Sequence, residues 1–443
     1  MKRSRKFCFR QLFFFPLIVG LTWTLCFEPA IAQKITMRFL NCETDKATIK
    51  FLEETFKEYE KKKGIKVILE SVPSQDVYVK IVASIKAKRP YEIVNVMYLG
   101  ELTSLVFENL VVPVTPIINK IGMKDFGPNI LFPHRGDVWW FPYDYNFAML
   151  AIRTDILKKK GLSVPKTWDD LLKVAKECTE DTDGDGKIDR YGMAIPMTLS
   201  NLTNWASTPL FWGNGVHTFD DKWNIIIDKP EMKPKMIQSL EMYQKLYQYM
   251  PPGLTAESYT SLMSKFIGGK VAIFAGTGRI VHEIERLNPQ LIDNFDLIGW
   301  PTPDGKRTAS TLGYDGWFVL KGPQQKQAME FMEWFVFNKQ IGFLKTLPIH
   351  YQPTQYSIYK NPEWLSHPSV KKFSKIVENQ LDLMKNGYFR SVDTDGLTPF
   401  DLRPGKILMS FFYPELLQRV MINKEDPGKA VDAIATKMRQ AIK

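Results

Sequence analysis

The segment DTDGDGKIDRYG, residues 181–192, has the residue types and spacing of a metal-binding loop. Four aspartates stand at the first, third, fifth and ninth positions, a lysine carbonyl stands at the seventh, and a glycine occupies the tight turn at the sixth: Asp181, Asp183, Asp185, Asp189, Lys187 and Gly186. A set of oxygen atoms in this order suits a hard cation such as calcium.

The twelfth position of the same loop argues against a strong site. A calcium loop takes a bidentate glutamate there, but the residue is Gly192, and the following RYGMAIP stretch offers no acid. Two interpretations stay open. We favour a surface loop whose Asp and Gly residues build turns between a helix over 167–179 and a strand over 193–197. The alternative is a weak structural calcium site. No cofactor is required.

Catalytic patterns are scarce in this sequence. It contains no GxSxG, HExxH or phosphate-binding GxxxxGK[ST] motif, and its five histidines, at 134, 217, 282, 350 and 367, lack ligand-like spacing. Asp144 and Asp315 could serve as acid and base on a glycosidic bond, but their separation is not readable from sequence. A secreted glycosidase or lyase is therefore the alternative function class. A third class, a receptor for iron or another anion, is disfavoured because no Tyr/His ligand cluster is visible in the sequence.

Four segments combine aromatic residues with Asp, Asn or Arg, mostly with Gly or Pro at a predicted strand end: 139–146, 204–215, 275–279 and 312–319. Aromatic residues are abundant overall, at 13%. An aromatic face can stack on the apolar face of a sugar ring, while charged and amide groups bond to its hydroxyls. Ligands of open α/β sheets lie at the carboxyl ends of strands. These segments therefore predict a saccharide site.

The N-terminus has the layout of an export signal. A basic stretch, MKRSRKFCFR, precedes an apolar run and the small-residue AIA motif at 30–32. We expect a signal peptide over residues 1–32, cleaved near Ala32, and a secreted or periplasmic protein. The alternative that this segment is retained as a membrane anchor stays open. The net charge of +11 lies partly in this segment, and without a compact basic–aromatic motif we expect no nucleic-acid partner.

Strand and helix patterns alternate along the rest of the chain. Strands are predicted over 34–42, 65–73, 91–98, 193–198, 270–276 and 316–322, and helices over 46–64, 74–88, 100–110, 165–179 and 324–338. Ser74 and Thr167 are predicted N-caps. Alternation of this kind predicts an α/β fold with a mainly parallel sheet. The sequence leaves open whether Cys42 and Cys178 form a disulfide bond.

Several stretches, in their order, resemble a known family. They are WWFPYDYNFAMLAIRTDILKKKGLSVPKTWDDLLKVAKECT, DTDGDGKIDRYGMAIP, FIGGKVAIFAGTGR, STLGYDGWFVLKG and AMEFMEWFVFNKQ. The chain resembles extracellular solute-binding proteins of family 1, the maltose/trehalose-binding class of ABC-transporter receptors. The likeness covers most of residues 34–443.

The resemblance implies a two-lobed periplasmic-binding-protein fold of type II, with the lobes joined by hinge crossovers. The first lobe would comprise 33–144 plus 312–347, and the second 145–311 plus 348–443. A small saccharide of the trehalose, sucrose, maltose or glucosylglycerol type would bind in the cleft and close the hinge. The protein would do no chemistry, act as a monomer and deliver its ligand to ABC permease subunits.

The resemblance also implies the ligand-binding residues. Matched onto this sequence, they are Glu43, Asn95, Tyr98, Asp144, Asn146, Gly276, Arg279, Tyr314, Asp315, Trp317 and Arg403, with Trp205 and Trp212 as stacking walls. Asn95 and Asn146 stand where trehalose-type members often carry an acid, so we expect a different pattern of hydroxyl contacts. The GYDGW segment is also more polar than the family's usual glycine-rich stretch.

Overall fold

The computed structural model of this chain describes residues 35–396 and 401–443. The predicted signal peptide, residues 1–32, lies outside this range. Among the described residues, no helix combines the length and apolar character that crossing a membrane would need.

The strands are numbered here in chain order. They are β1 (Thr36–Asn41), β2 (Lys66–Ser71), β3 (Ile93–Val96), β4 (Val111–Val112), β5 (Phe141–Phe147), β6 (Met149–Arg153), β7 (Tyr191–Ala194), β8 (Val271–Gly276), β9 (Phe295–Ile298), β10 (Trp300–Pro301), β11 (Thr308–Leu320), β12 (Gln352–Pro353) and β13 (Tyr388–Arg390).

The α-helices follow the same order. They are α1 (Lys46–Lys63), α2 (Ser74–Lys86), α3 (Leu99–Phe107), α4 (Thr115–Ile121), α5 (Thr154–Lys159), α6 (Trp168–Glu177), α7 (Asn201–Ser207), α8 (Pro209–Gly213), α9 (Lys233–Tyr247), α10 (Tyr259–Ile267), α11 (Arg279–Leu287), α12 (Gln325–Leu344), α13 (Pro362–Leu365), α14 (Pro368–Lys372), α15 (Ser374–Asn386), α16 (Leu402–Met409), α17 (Phe412–Met421) and α18 (Pro427–Ala441).

Two separate sheets organise the chain. The larger has the strand order β12-β5-β11-β3-β1-β2, with β4, β10 and β13 also joined to β11. The smaller has the order β7-β8-β6-β9. We call the part built on the larger sheet the first lobe and the part built on the smaller sheet the second lobe. The exact residue division between lobes stays a prediction.

The prediction of a mainly parallel sheet is wrong, because both sheets are mixed. β1 pairs in parallel with β2 and β3, but β11 is antiparallel to β3 and β5, and β6 is antiparallel to β8 and β9. The reason lies in the connections. β5 passes directly into β6, so the chain crosses from one sheet to the other without the helix that a parallel return needs.

Helix α1 shows how the local sequence forms these elements. Asp45 caps its first turn by accepting bonds from the Ala47 and Thr48 amides, and Gly64 ends it in the left-handed conformation at φ 70°. Leu52, Phe56 and Tyr59, spaced at helical intervals, are buried. The rings of Phe56 and Tyr59 pack against Phe331 of α12, at centroid distances of 5.5 and 4.8 Å. Burying each such side chain contributes about 1.5–3 kcal/mol.

The two predicted N-caps have different outcomes. Thr167 caps α6 in a capping box, in which its hydroxyl accepts a bond from the Asp170 amide and the Asp170 carboxylate accepts one from the Thr167 amide. Ser74 is not a cap, because α2 begins at Ser74 itself. The residue before it is Pro73, which makes no side-chain capping bond.

Candidate functional site

A cavity of about 740 Å³ lies between the two lobes. Its walls include loops and helix starts that follow strands of both sheets, which is where ligands of α/β proteins bind, together with Asn146 of β5 and Gly313 and Asp315 of β11. Six of the residues predicted from the sequence line it: Glu43, Tyr98, Asn146, Trp205, Arg279 and Asp315. Glu43 and Tyr98 follow β1 and β3 of the first lobe, and Arg279 follows β8 of the second.

An ion pair crosses this cavity. Arg279 NH2 lies 2.8 Å from Glu43 Oε2 and 2.9 Å from His350 Nε2. The turn that presents Arg279 needs Gly278, because a Cβ atom there would lie 1.9 Å from the Ile349 carbonyl oxygen. Burial alone would lower the pKa of Arg279, but the Glu43 carboxylate raises it above its usual value. Arg279 therefore stays charged.

His350 is a neutral member of this group. Its ring is 4% exposed, and burial, followed by the Arg279 charge, holds its pKa well below the usual value. Because the Arg279 guanidinium can only donate, His350 Nε2 accepts this bond and the ring proton lies on Nδ1. His350 thus helps to orient Arg279.

Asp144 and Asp315 form a carboxylate pair at the bottom of the cavity. They stand directly opposite each other on β5 and β11, and both are fully buried. Burial raises the pKa of each above its usual range; Asp315 and then Glu43 raise that of Asp144 further, and Glu43 raises that of Asp315. Two close carboxylates out of water do not both ionise readily, so this pair takes up a proton more readily than isolated aspartates do.

The acidic surroundings also affect neighbouring groups. Burial and the Glu43 and Asp315 charges raise the pKa of the Cys42 thiol, which lines the cavity. Burial raises the pKa of Tyr98, with a further contribution from the Glu101 carboxylate. Glu101 itself, 4% exposed, has a pKa raised to about 8 by burial and then by Asp393. At neutral pH these three groups are therefore held mainly in their protonated, neutral forms.

Aromatic side chains also line the cavity. Trp205 lies on the short helix α7, and its Nε1 donates to the Asn146 carbonyl oxygen at 3.2 Å, which holds the ring in place. Tyr98, Tyr259 and Phe411 also line the cavity. Phe411 has a left-handed backbone at φ 53°, a strained conformation for a bulky residue and one that concentrates at ligand sites. The cavity lining therefore combines aromatic side chains with charged and hydroxyl-bearing ones.

Trp317 and Tyr314 lie away from the cavity, although both are on the strand that carries Asp315. Tyr314 points to the other face of β11 and bonds to Thr394, because neighbouring strand residues face opposite sides. Trp317 would share the face of Asp315, but the register shifts between Asp315 and Gly316. Its ring packs in the first-lobe core, 4.8 Å from the rings of Tyr143 and Phe335.

Four further predicted residues also lie away from the cavity lining. Asn95 is a buried bridge inside the first lobe, donating to Asn41 and accepting from Tyr143. Trp212 is buried in the second lobe and donates to Thr311. Arg403 forms a two-point pair with Asp401 beside a separate surface groove. Gly276 ends β8 as part of its backbone. Asp144, too, lies behind the lining residues rather than among them.

Sequence reasoning missed several residues that line the cavity: Cys42, Thr44, Glu101, Ser200, Asn201, Tyr259, Thr260, Thr277, His350, Met409 and Phe411. His350 lies in the segment LPIHYQP, which follows α12 and carries no motif. Thr277 could have been predicted, because it belongs to the same AGTGR segment as Arg279. Its amide donates to the Tyr259 hydroxyl at 3.1 Å.

The aspartate-rich loop lies in the second lobe, outside the cavity lining. Asp181, Asp183 and Asp185 each place one oxygen within 4.8 Å of the others. Asp189 is turned away from them, accepting from the Thr182 amide at 3.0 Å and from Lys270 Nζ at 3.2 Å. Asp181 accepts from the amides of Gly184 and Gly186, at 2.7 Å each. The carboxylates thus build the turns, and three of them are grouped.

Packing explains why the twelfth position of the loop is a glycine, Gly192. A Cβ atom at Gly192 would lie 1.7 Å from the Ala175 carbonyl oxygen of α6. No side chain fits where a calcium loop takes its glutamate, so the bidentate ligand is excluded by how β7 packs against this helix. The two cysteines of the described chain, Cys42 and Cys178, are both buried and not bonded to each other.

Comparisons with known proteins agree with this architecture. The sequence profile of the family described as "Bacterial extracellular solute-binding protein" matches residues 45–341. The structure of maltose-bound MalE3 of T. maritima superimposes with a TM-score of 0.73, covering 92% of this chain and 99% of that one, at 17% identity. The fold is thus the two-lobed fold of the solute-binding proteins.

Curated relatives match over shorter stretches. YcjN of Escherichia coli (strain K12), a putative ABC transporter periplasmic-binding protein, is 24% identical over 342 residues, or 74% of each chain. Lipoprotein LipO of Bacillus subtilis (strain 168) is 31% identical over 200 residues, which are 42% of this chain but only 39% of LipO. Since the family profile spans well over half of it, the chain belongs to the bacterial extracellular solute-binding protein family.

Proposed function

We propose that this chain is the substrate-binding component of an ABC importer, and that it captures a small glycoside or disaccharide in the cleft between its lobes. Ligands of the trehalose, sucrose, maltose or glucosylglycerol type are the class we favour. The names of relatives support this proposal: YcjN is described as a putative ABC transporter periplasmic-binding protein, and MalE3 was solved with maltose bound.

One observation carries the proposal: the cavity joins aromatic faces with charged groups across a single space. Trp205 and Tyr98 supply the faces, while Glu43, Arg279 and Asp315 supply strong acceptors and donors. Sugars need both kinds of contact, since each ring has apolar C–H faces and a rim of hydroxyls. The volume, about 740 Å³, is within the range of roughly 300–1,000 Å³ that small-molecule sites have.

Location and partners follow from the same proposal. Cleavage near Ala32 would release a secreted or periplasmic protein, and membership of an extracellular family supports that location. The loaded protein would then deliver its ligand to the permease subunits of the transporter. We expect it to act as a monomer, which light scattering after size-exclusion chromatography would measure.

The alternative, a glycosidase or lyase, fits the carboxylates poorly. Glycosidases hold their two carboxyl groups about 5–5.5 Å or 6.5–9.5 Å apart, on either side of the scissile bond. Here Asp144 and Asp315 stand directly opposite each other on neighbouring strands, and only Asp315 lines the cavity, so the two do not flank an open site. This arrangement supports binding without chemistry.

Calorimetry combined with product analysis tests the proposal. We expect one disaccharide of the panel to bind with a stoichiometry of one per chain and to be recovered unchanged after a day with the protein. Turnover of the sugar would support the enzyme instead. Failure of every saccharide in the panel to bind would overturn the proposed function.

A further inference from the structure

The floor of the cleft contains buried carboxylate oxygens without partners. With the groups ionised, Glu43 Oε1, Asp315 Oδ1 and both oxygens of Asp144 accept no hydrogen bond from any described residue. All three residues are 0% exposed. Leaving buried acceptors unsatisfied is costly, so native proteins seldom do so unless something else binds there. We call Glu43, Asp144 and Asp315 the acidic floor.

These oxygens are arranged as ligands around one small ion would be. Glu43, Asp315 and His350 each place one potential ligand atom within 4.8 Å of the others. Oxygen ligands lie 2.3–2.6 Å from calcium, so atoms bound to the same ion are at most about 5 Å apart. Asp144 stands directly opposite Asp315 on the neighbouring strand. Glu43 and Asp315 therefore place carboxylate oxygens close enough together to bind one ion, with Asp144 beside them on the next strand.

The balance of charge favours a positive ligand. Three carboxylates face one guanidinium, Arg279, and that guanidinium is already bonded to Glu43 Oε2 and His350 Nε2. Even with one proton shared between Asp144 and Asp315, two negative charges remain for one positive charge. A ligand that carries a carboxylate of its own, such as a uronic acid, would be repelled from this floor.

The bond from Arg279 to His350 also limits which cations this floor can bind. Because His350 Nε2 accepts from Arg279, its Nδ1 carries the proton and has no lone pair for a metal. The remaining donors are oxygens: those of the acidic floor and Asn146 Oδ1, which also lacks a partner. Oxygen-only sets suit hard cations rather than zinc, which prefers nitrogen and sulfur.

We propose that the acidic floor is a cation subsite of the cleft, where Glu43 and Asp315 bind a compact cation through their unpartnered oxygens and Asp144 adds negative charge behind them. The cation is either a free divalent ion such as calcium or the ammonium group of an amino sugar, whose N–H groups would meet the same oxygens. This inference rests on the proposed function, since it narrows the ligand class to saccharides that bring or accept a cation.

Two arms of one calorimetric experiment distinguish these sources. Both use the full chain with Asp183→Asn, which removes the aspartate-rich loop as a source of signal. In the first arm, calcium chloride alone is titrated. In the second, with EDTA present, glucosamine, glucose and glucuronate are titrated, and then the matched galacto series. We expect one calcium per chain, or at least tenfold tighter binding of the amino sugar than of the neutral sugar, with the acidic sugar weakest.

The variants Glu43→Gln and Asp315→Asn test the location. Each should weaken the calcium affinity, or the preference for the amino sugar, at least tenfold. Melting curves check that each variant is folded, and Glu43→Gln carries the test if Asp315→Asn is not. The inference is overturned if neither cation binds preferentially, or if the signal survives both variants. The same variants are also titrated with the neutral disaccharides. If a neutral disaccharide binds while no cation preference is seen, the inference fails but the proposed function stands.

Discussion

Arg279 of the second lobe and Glu43 of the first lobe form an ion pair across the cleft, with 2.8 Å between NH2 and Oε2. Beside it, His282 Nε2 on α11 lies 3.6 Å from Asp45 Oδ2, the cap of α1. Both contacts join the same two helix starts. The Arg279–Glu43 ion pair therefore joins the two lobes at this edge and would separate if a hinge opened.

Removing the arginine should open the cleft. Arg279→Gln leaves the buried Glu43 carboxylate without its cation, and an open cleft relieves that cost by letting water reach it. We expect a larger radius of gyration in small-angle scattering without saccharide, and saccharide affinity weaker by about 1–3 kcal/mol.

Arg286→Gln is the matched control for this change. Arg286 is on the same helix but pairs with Glu283 at the surface, 2.6 Å away, and reaches nothing across the cleft. It should scatter like the parent. If Arg279→Gln and Arg286→Gln scatter identically, the ion pair does not hold the lobes together.

Trp205 should be the principal stacking residue. Trp205→Ala removes the aromatic face from the cavity, and we expect saccharide affinity to fall by about 1.5–3 kcal/mol with a small change in melting temperature. Trp317→Phe, a change within the first-lobe core, should do the opposite: it should lower the melting temperature and leave the dissociation constant within about twofold. Equal affinities for Trp205→Ala and the parent would exclude the stacking role.

Glu101 should make stability depend on pH. Its pKa is raised from 4.5 to about 8 by burial and by Asp393, so the folded protein holds a proton that the unfolded chain releases above pH 4.5. This contribution to stability is complete below pH 4.5 and is lost as the pH rises towards 8.

The variant Glu101→Gln keeps the neutral form at every pH. Its melting temperature should fall less between pH 5 and pH 8 than that of the parent. Glu108→Gln, at the exposed end of the same helix, should behave like the parent. Parallel curves for the parent and Glu101→Gln would mean that Glu101 is ionised when folded.

The aspartate-rich loop should work without calcium, because Gly192 excludes the twelfth ligand and Asp189 is bonded to Thr182 and Lys270. We expect the parent and Asp183→Ala to show the same change in melting temperature between excess EDTA and millimolar calcium. A rise of several degrees in the parent that disappears in Asp183→Ala would instead establish a structural calcium site, since a ligand of the folded state stabilises it.

Local chemistry made much of the fold predictable. Thr167 with Asp170 is a capping pattern that needs only four neighbouring residues, and the spacing of Leu52, Phe56 and Tyr59 identifies the buried face of α1. The mixed pairing of the sheets was not predictable in this way. In the larger sheet it depends on β11, a single strand of 13 residues that pairs with partners from distant parts of the chain, and in the smaller sheet on β6, which enters directly from β5.

The residues of the candidate site show the same difference between features set by local sequence and features set by tertiary contacts. Asp315 and Arg279 were predicted because each stands beside aromatic or glycine residues at a predicted strand end; both line the cavity, although Asp315 lies within β11 rather than at its end. Trp317 stands in the same segment as Asp315, but a register shift of one residue moves its ring into the core. His350 comes from a segment without a motif, and only the close approach of Gly278 to Ile349 brings it to Arg279. Such tertiary contacts leave no local signal.

Calorimetric titration of the purified protein with a panel of small saccharides tests the central claim most directly. The account predicts that at least one disaccharide or glucoside binds with a stoichiometry of one, that it is recovered intact, and that Trp205→Ala and Arg279→Gln each weaken its binding. Absence of binding across the panel, or binding that neither variant weakens, would contradict a saccharide site in this cleft.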